Sequence, residues 1–95
     1  MCFTWDEEKK ACNLAKHGVS FKRATLVFDD PRAISLLDDY DLEERWLTIG
    51  LVNGVVVVVV VHTVQEPHNE NDEEIRIISA RKATRREREI YERGA

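Results

Sequence analysis

Residues 45–64, RWLTIGLVNGVVVVVVVHTV, decide the fold. Two apolar runs flank the dipeptide Asn53-Gly54, whose residue types accept the positive φ angles of a type I′ turn, so the segment reads as a tight β-hairpin. The run Val55 to Val61 is far shorter than the roughly 20 residues a membrane-spanning helix needs, and Asn53-Gly54 and His62 bracket it. A two-residue loop sets Val52 opposite Val55, Thr48 opposite Val59 and Arg45 opposite His62. If the following strand then sets Arg76 against His62, a row Arg45, His62, Arg76 crosses three strands. The long loop before that strand permits this register without forcing it. The other reading ties Arg45 to Glu43 or Asp41 at the edge of the core. A strand that is valine at both alternating positions has to be covered on both faces.

Outward from the hairpin, the chain supplies the covers. CFTW at the N-terminus alternates as a short strand, and Asp6 then opens a helical pattern in which Ala11, Leu14 and Ala15 share a face and Gly18 provides the left-handed stop. Ser20 is an N-cap for a second short helix with the stripe Phe21, Ala24, Thr25, Phe28, ended by Asp29-Asp30-Pro31. AISLL, residues 33–37, is strand-like, DDYDLEE and QEPHNENDEE are polar loops, and IRIISA is a further strand. Thr84-x-x-Glu87 is a capping box for a charged helix that ends at Gly94. The expected fold is α+β: one domain, residues 1–95, with a small curved antiparallel β-sheet, two N-terminal helices and a C-terminal helix. The two N-terminal helices can cover one face of the valine strand. The C-terminal helix or another chain must cover the second.

Charge is segregated along the chain. From Asp29 to Glu44 seven carboxylates face one arginine, whereas from Arg76 to Arg93 seven cations face three carboxylates. That last stretch holds seven of the fourteen lysines and arginines in a chain of net charge −4, so an acidic protein presents a local basic surface. With 95 residues, 43% of them hydrophobic and 34% charged, the chain is globular, and a domain of this size buries roughly 60% of its unfolded surface. The start MCFTWDEEKK has no basic and apolar signal-peptide pattern, which makes the cytoplasm the default location. Cys2 and Cys12 read as small apolar core residues. No CxxC or HxxxH pair occurs, so no metal site and no cofactor are expected.

Several stretches together resemble the BrnT family, the toxin half of a bacterial type II toxin-antitoxin pair: FTWDEEKKACNLAKHGVSF, VFDDP, EERWLTIG, the valine strand ending in HT, and IRIISARKATRREREIYE. They follow the family's order and cover nearly the whole chain. The loop before EER departs from the family pattern, which carries a His-Ser pair where this chain has DDYDL, and QEPHNENDEE is long for the family. The resemblance implies a RelE-like fold and RNA cleavage that arrests growth. It also implies a BrnA-like antitoxin with a ribbon-helix-helix DNA-binding part, with operator DNA contacted only through that antitoxin.

The chemistry implied is metal-independent attack of an RNA 2′-hydroxyl on the adjacent phosphate. That reaction needs a base, donors for the developing charge and a proton for the leaving oxygen. Arginine suits the second task because its guanidinium stays charged and presents a planar fork to phosphate oxygens. Arg81, at the end of ISAR, is the first candidate and Arg76 the second. His17, His62 and Lys16 are the candidates for proton transfer. Lys16 and His17 also complement the dipole at a helix C-terminus, which is a purely structural use. Lys82, Arg85, Arg86, Arg88 and Arg45 form the expected electrostatic footprint for RNA. The competing reading is a non-catalytic module of the same shape that acts as scaffold or co-repressor with a DNA-binding partner.

Overall fold

The computed structural model describes residues 1–38, 43–65 and 73–94. Strand β1 (Cys2–Trp5) leads into helix α1 (Glu7–His17) and the short helix α2 (Phe21–Ala24), which a 3₁₀ turn, Thr25–Asp29, prolongs. Strands β2 (Ile34–Asp38), β3 (Arg45–Val52), β4 (Val56–Gln65) and β5 (Glu74–Lys82) follow, and helix α3 (Arg85–Arg93) closes the chain. The five strands form one sheet in the order β1-β5-β4-β3-β2. Its pairings are antiparallel except that β1 lies parallel to β5, a neighbour the sequence pattern did not identify. The polar loop residues 39–42 and 66–72 fall outside the described residues, and with them most of DDYDLEE and QEPHNENDEE.

The expected caps form. The Asp6 carboxylate accepts from the backbone N–H of Glu8 and Lys9, the Ser20 hydroxyl from that of Arg23, and Thr84 and Glu87 complete a reciprocal capping box. Gly18 and Gly94 end α1 and α3 in the left-handed conformation, where a Cβ would be strained. The face that α1 buries is a different matter. Ala11, Leu14 and Ala15 are exposed, Leu14 by 50%, and the buried residue is Asn13. Its amide donates to the carbonyls of Val19 (2.9 Å) and Ala80 (2.8 Å), and its oxygen accepts from the Ala80 N–H (3.1 Å). The reason lies in the sheet: β1 pairs with β5 only as far as Ile77, so the outward backbone groups of Ala80 have no strand beside them. Asn13 takes the place of the missing strand, and unpaired backbone groups in that position would be costly. Cys2 and Cys12 are likewise free and exposed rather than in the core.

The hairpin is where the register departs from expectation. Asn53 (φ 54°) and Gly54 (φ 69°) form the turn, and the Val55 N–H donates to the Val52 carbonyl at 3.1 Å. Val55 then stays outside the ladder, 84% exposed, and Val52 pairs with Val56. Every partner shifts by one. Trp46, not Arg45, is opposite His62, and Thr48 is opposite Val60 rather than Val59. Seven identical valines carry no register information of their own; the slip comes from the turn, which leaves Val55 out of the ladder. A Cβ at Gly50 would stand 2.8 Å from the Val27 side chain, so the face holding Gly50 and Val52 has to be the one beneath the 3₁₀ turn.

The two sheet faces are covered by different elements. On one, Phe21, Ala24 and Val27 pack onto Val52, Val58, Val60, Ile75, Ile77 and Ala80, with Phe3, Trp5 and Phe28 at the margin. On the other, Ala83 and Tyr91 of the α3 segment pack onto Ile49 and Val59. The Tyr91 hydroxyl donates to Asp30 Oδ2 at 2.6 Å, and the same oxygen accepts from the Leu51 N–H, so α3 is tied across the β3 edge to the end of the 3₁₀ turn. The second cover over the valine strand is therefore α3, within the same chain. No helix among the described residues is long and apolar enough to cross a membrane.

Candidate active site

The arginines gather on the α3 face because of one irregularity. Arg76 and Arg81 are five positions apart, a spacing that sends side chains of a regular strand to opposite faces. A register shift between Val61 and His62 inserts an extra residue on β5. Ser79 pairs with Val61, but Arg76 pairs with Thr63, two further along β4, and Arg81 pairs with Val59. Val59, Val61 and Thr63 alternate onto one face, so Arg81, Ser79 and Arg76 stand on it together. On β3, Arg45 shares the alternation of Leu47 and Ile49 and belongs to the same face. The expected three-strand row thus re-forms one step along, with Thr63 in the place assigned to His62.

Arg81 is held rigidly. Its Nη1 and Nη2 donate to the two oxygens of Glu87 at 2.6 and 2.9 Å, a bidentate pair between the end of β5 and the first turn of α3. Glu87 Oε1 also accepts the Thr84 N–H of the capping box. The Arg81 hydrogen bonds are the main reason the Glu87 carboxyl falls to about 2 despite partial burial, with Thr84 adding to them. Glu87 in turn raises Arg81 above the usual arginine value. Two of the five guanidinium N–H groups are used in this pair, which leaves donors for a phosphate oxygen. Around it on α3, Arg85 meets Glu89 at 3.6 Å, Arg88 donates to the Ala83 carbonyl at 3.3 Å, and Arg86 is exposed. Arg45 donates to Glu43 at 3.1 Å, the alternative drawn from the sequence.

His62 does not join this group. It lies on the opposite face, 3% exposed, with its ring 5.0 Å from that of Phe28 and Nε2 2.7 Å from the Thr48 hydroxyl, which contacts Ser35 Oγ at 2.8 Å. Burial lowers its pKa. Its register shift is the physical reason: at even-numbered positions β4 faces α2, and His62 belongs to that core. Lys82 is also on the far face, paired with Val58, where it lines a groove of about 480 Å³ with Arg23, Val52, Asn53, Val55 and Val56. Lys16 and His17 end α1. Asn13 clamps α1 to Ala80, the residue before Arg81, and His17, one helical turn beyond Asn13, is half-buried. No metal-binding group of three or more His, Cys, Asp or Glu forms among the described residues.

Sequence reasoning missed Glu87 as the residue that fixes Arg81, although the capping box already set it against the end of the preceding strand. It also passed over Thr63 and Ser79, for which only the bulge gives the signal.

The architecture is a small mixed sheet with helices on both faces and an arginine-bearing face under its C-terminal helix. The 1.1 Å crystal structure of the Brucella abortus ribonuclease toxin BrnT is similar to this chain, with a TM-score of 0.62 and 26% identity over 90% of this chain and 99% of that one. Residues 5–87 match the family described as ribonuclease toxin, BrnT, of type II toxin-antitoxin system, and the chain belongs to that family. No curated protein matches it.

Proposed function

We propose that the chain is a metal-independent endoribonuclease toxin that cleaves RNA by 2′-hydroxyl attack on phosphate, using the α3 face of the sheet. The observation that carries this reading is the Arg81–Glu87 pair, which fixes a charged donor on the same face as Ser79 and Arg76. A guanidinium already ordered by its partner loses little freedom when negative charge develops on a phosphate, and pre-organised donors of this kind are the largest single contribution in many enzymes. Arg76, Arg45, Arg85, Arg86 and Arg88 attract the flanking phosphates. Lys82, on the other face, acts only through its longer-range field. For proton transfer His17 takes precedence over His62, with Lys16 beside it as a second cation. The buried His62, with Thr48 on its Nε2, serves the core.

The natural inhibitor is a BrnA-like antitoxin with a ribbon-helix-helix DNA-binding part, through which alone operator DNA is contacted, and both proteins work in the cytoplasm. Protein freed of any partner degrades RNA in the presence of a chelator, and Arg81→Ala slows this by about 100- to 1000-fold, the usual cost of removing one such donor. Cleavage by Arg81→Ala at the wild-type rate removes the catalytic assignment. Binding of RNA without cleavage by the wild type favours the scaffold reading instead.

A further inference from the structure

We infer that Thr63, Arg76 and Thr4 form a second phosphate-binding subsite on the α3 face, one that grips the RNA strand away from the bond being cleaved. The inference rests on the ribonuclease reading above and adds to it a place where the substrate is held. Arg76 pairs with Thr63 of β4 on one side and with Thr4 of β1 on the other, so the three side chains stand in a row across three strands on one face. Thr63 is only 7% exposed, and both its hydroxyl oxygen and that of Thr4 are buried without a hydrogen-bond partner among the described residues. A buried hydroxyl in that state is costly, and native folds keep few of them. Two on either side of one arginine point to a ligand that completes them.

The chemistry of the row specifies that ligand. A guanidinium only donates and both hydroxyls can donate, so the complement is an anion rich in acceptor oxygens. Arg76 is exposed and has no ion pair or hydrogen bond among the described residues. Asp6, the carboxylate that feels its charge, is already turned onto the α1 N-terminus, where it accepts from Glu8 and Lys9 at 2.8 and 3.2 Å. Arg76 and Arg81 are roughly 16 Å apart along β5, too far to hold one phosphate. The two positions therefore hold different phosphates of one strand, with Ser79 and Val61 on the floor between them.

The test uses partner-free protein and a short RNA made uncleavable by 2′-O-methyl riboses, with binding read by fluorescence anisotropy across a salt series. Thr63→Val keeps the shape of the side chain and removes the hydroxyl. It is expected to weaken binding 3- to 10-fold while the melting temperature stays equal or rises, because an unpaired buried hydroxyl has been removed. Thr4→Val, measured in parallel, is expected to act in the same direction and stands in if the first variant does not fold. Arg76→Gln is expected to reduce the slope of log affinity against log salt by about one phosphate contact. Wild-type affinity in both threonine variants together with an unchanged salt slope in Arg76→Gln overturns the subsite. If these variants weaken binding but the wild type never cleaves RNA, the subsite stands and the catalytic reading falls. If the wild type cleaves and all three variants bind as it does, the reverse holds.

Discussion

The two faces of the one sheet have been put to opposite uses. Under α2 and the 3₁₀ turn, ten buried apolar residues form the cluster, and on the same face the buried His62 sits against Phe28. Under α3 only four buried residues form the cluster, and the remaining floor carries Arg81, Ser79 and Arg76. Both faces are read by the same strands, so the difference comes from what covers them. α3 is tied down at Tyr91 and Glu87 and packs onto Ile49 and Val59, whereas the N-terminal segment spreads over its face from Trp5 to Phe28. Stability is concentrated on the first face. Charge that can act on a ligand is concentrated on the second.

Substitutions can test this division, and the largest expected effect lies at the edge where α1 meets β5. Asn13→Ala removes three hydrogen bonds and leaves the N–H and C=O of Ala80 without these partners, which costs about 2–6 kcal/mol at roughly 1–3 kcal/mol per orphaned group. Thermal unfolding should show a drop of about 10 °C or more in a domain of this size. Leu14→Gln, on the exposed side of the same helix, should change stability by no more than about 0.5 kcal/mol. The reverse order would return the apolar stripe of α1 to the core.

A smaller effect concerns the buried imidazole. Burial lowers the pKa of His62 below 6.5 in the folded protein, so between the two values the unfolded chain holds the extra proton. The neutral-state stability is therefore complete above pH 6.5 and declines as the pH falls through that interval. Urea unfolding at pH 8 and pH 5 should show a larger acid loss in the wild type than in His62→Gln. Equal losses would mean that the imidazole is not desolvated, and that the contrast between the faces is weaker than drawn.

Much of this architecture was legible in the sequence because local chemistry declares itself. Asp6, Ser20, Thr84, Gly18 and Gly94 each cap the helix end their residue type predicts, and Asn53-Gly54 turns the hairpin. What the sequence withheld is the register. Alternation identifies a face only where the two faces differ, and seven successive valines differ in nothing; the turn decides by leaving Val55 out of the ladder. One residue of slip moved His62 from a row of arginines into the core and set Thr63 in its place. The bulge that brings Arg76 and Arg81 to one face has no local signature either. The place of Arg81 between a strand and a capped helix was legible, whereas its pairing with Glu87 was not.

The claim that RNA lies on the α3 face is tested most directly by methyl-detected NMR while the uncleavable RNA is titrated into partner-free protein. The methyl signals of Val61, Thr63 and Leu47 should move, and those of Val52 and Val56, which line the groove with Arg23 and Lys82 on the other side, should stay in place. Movement confined to Val52 and Val56 would contradict the account and put the RNA on the opposite face.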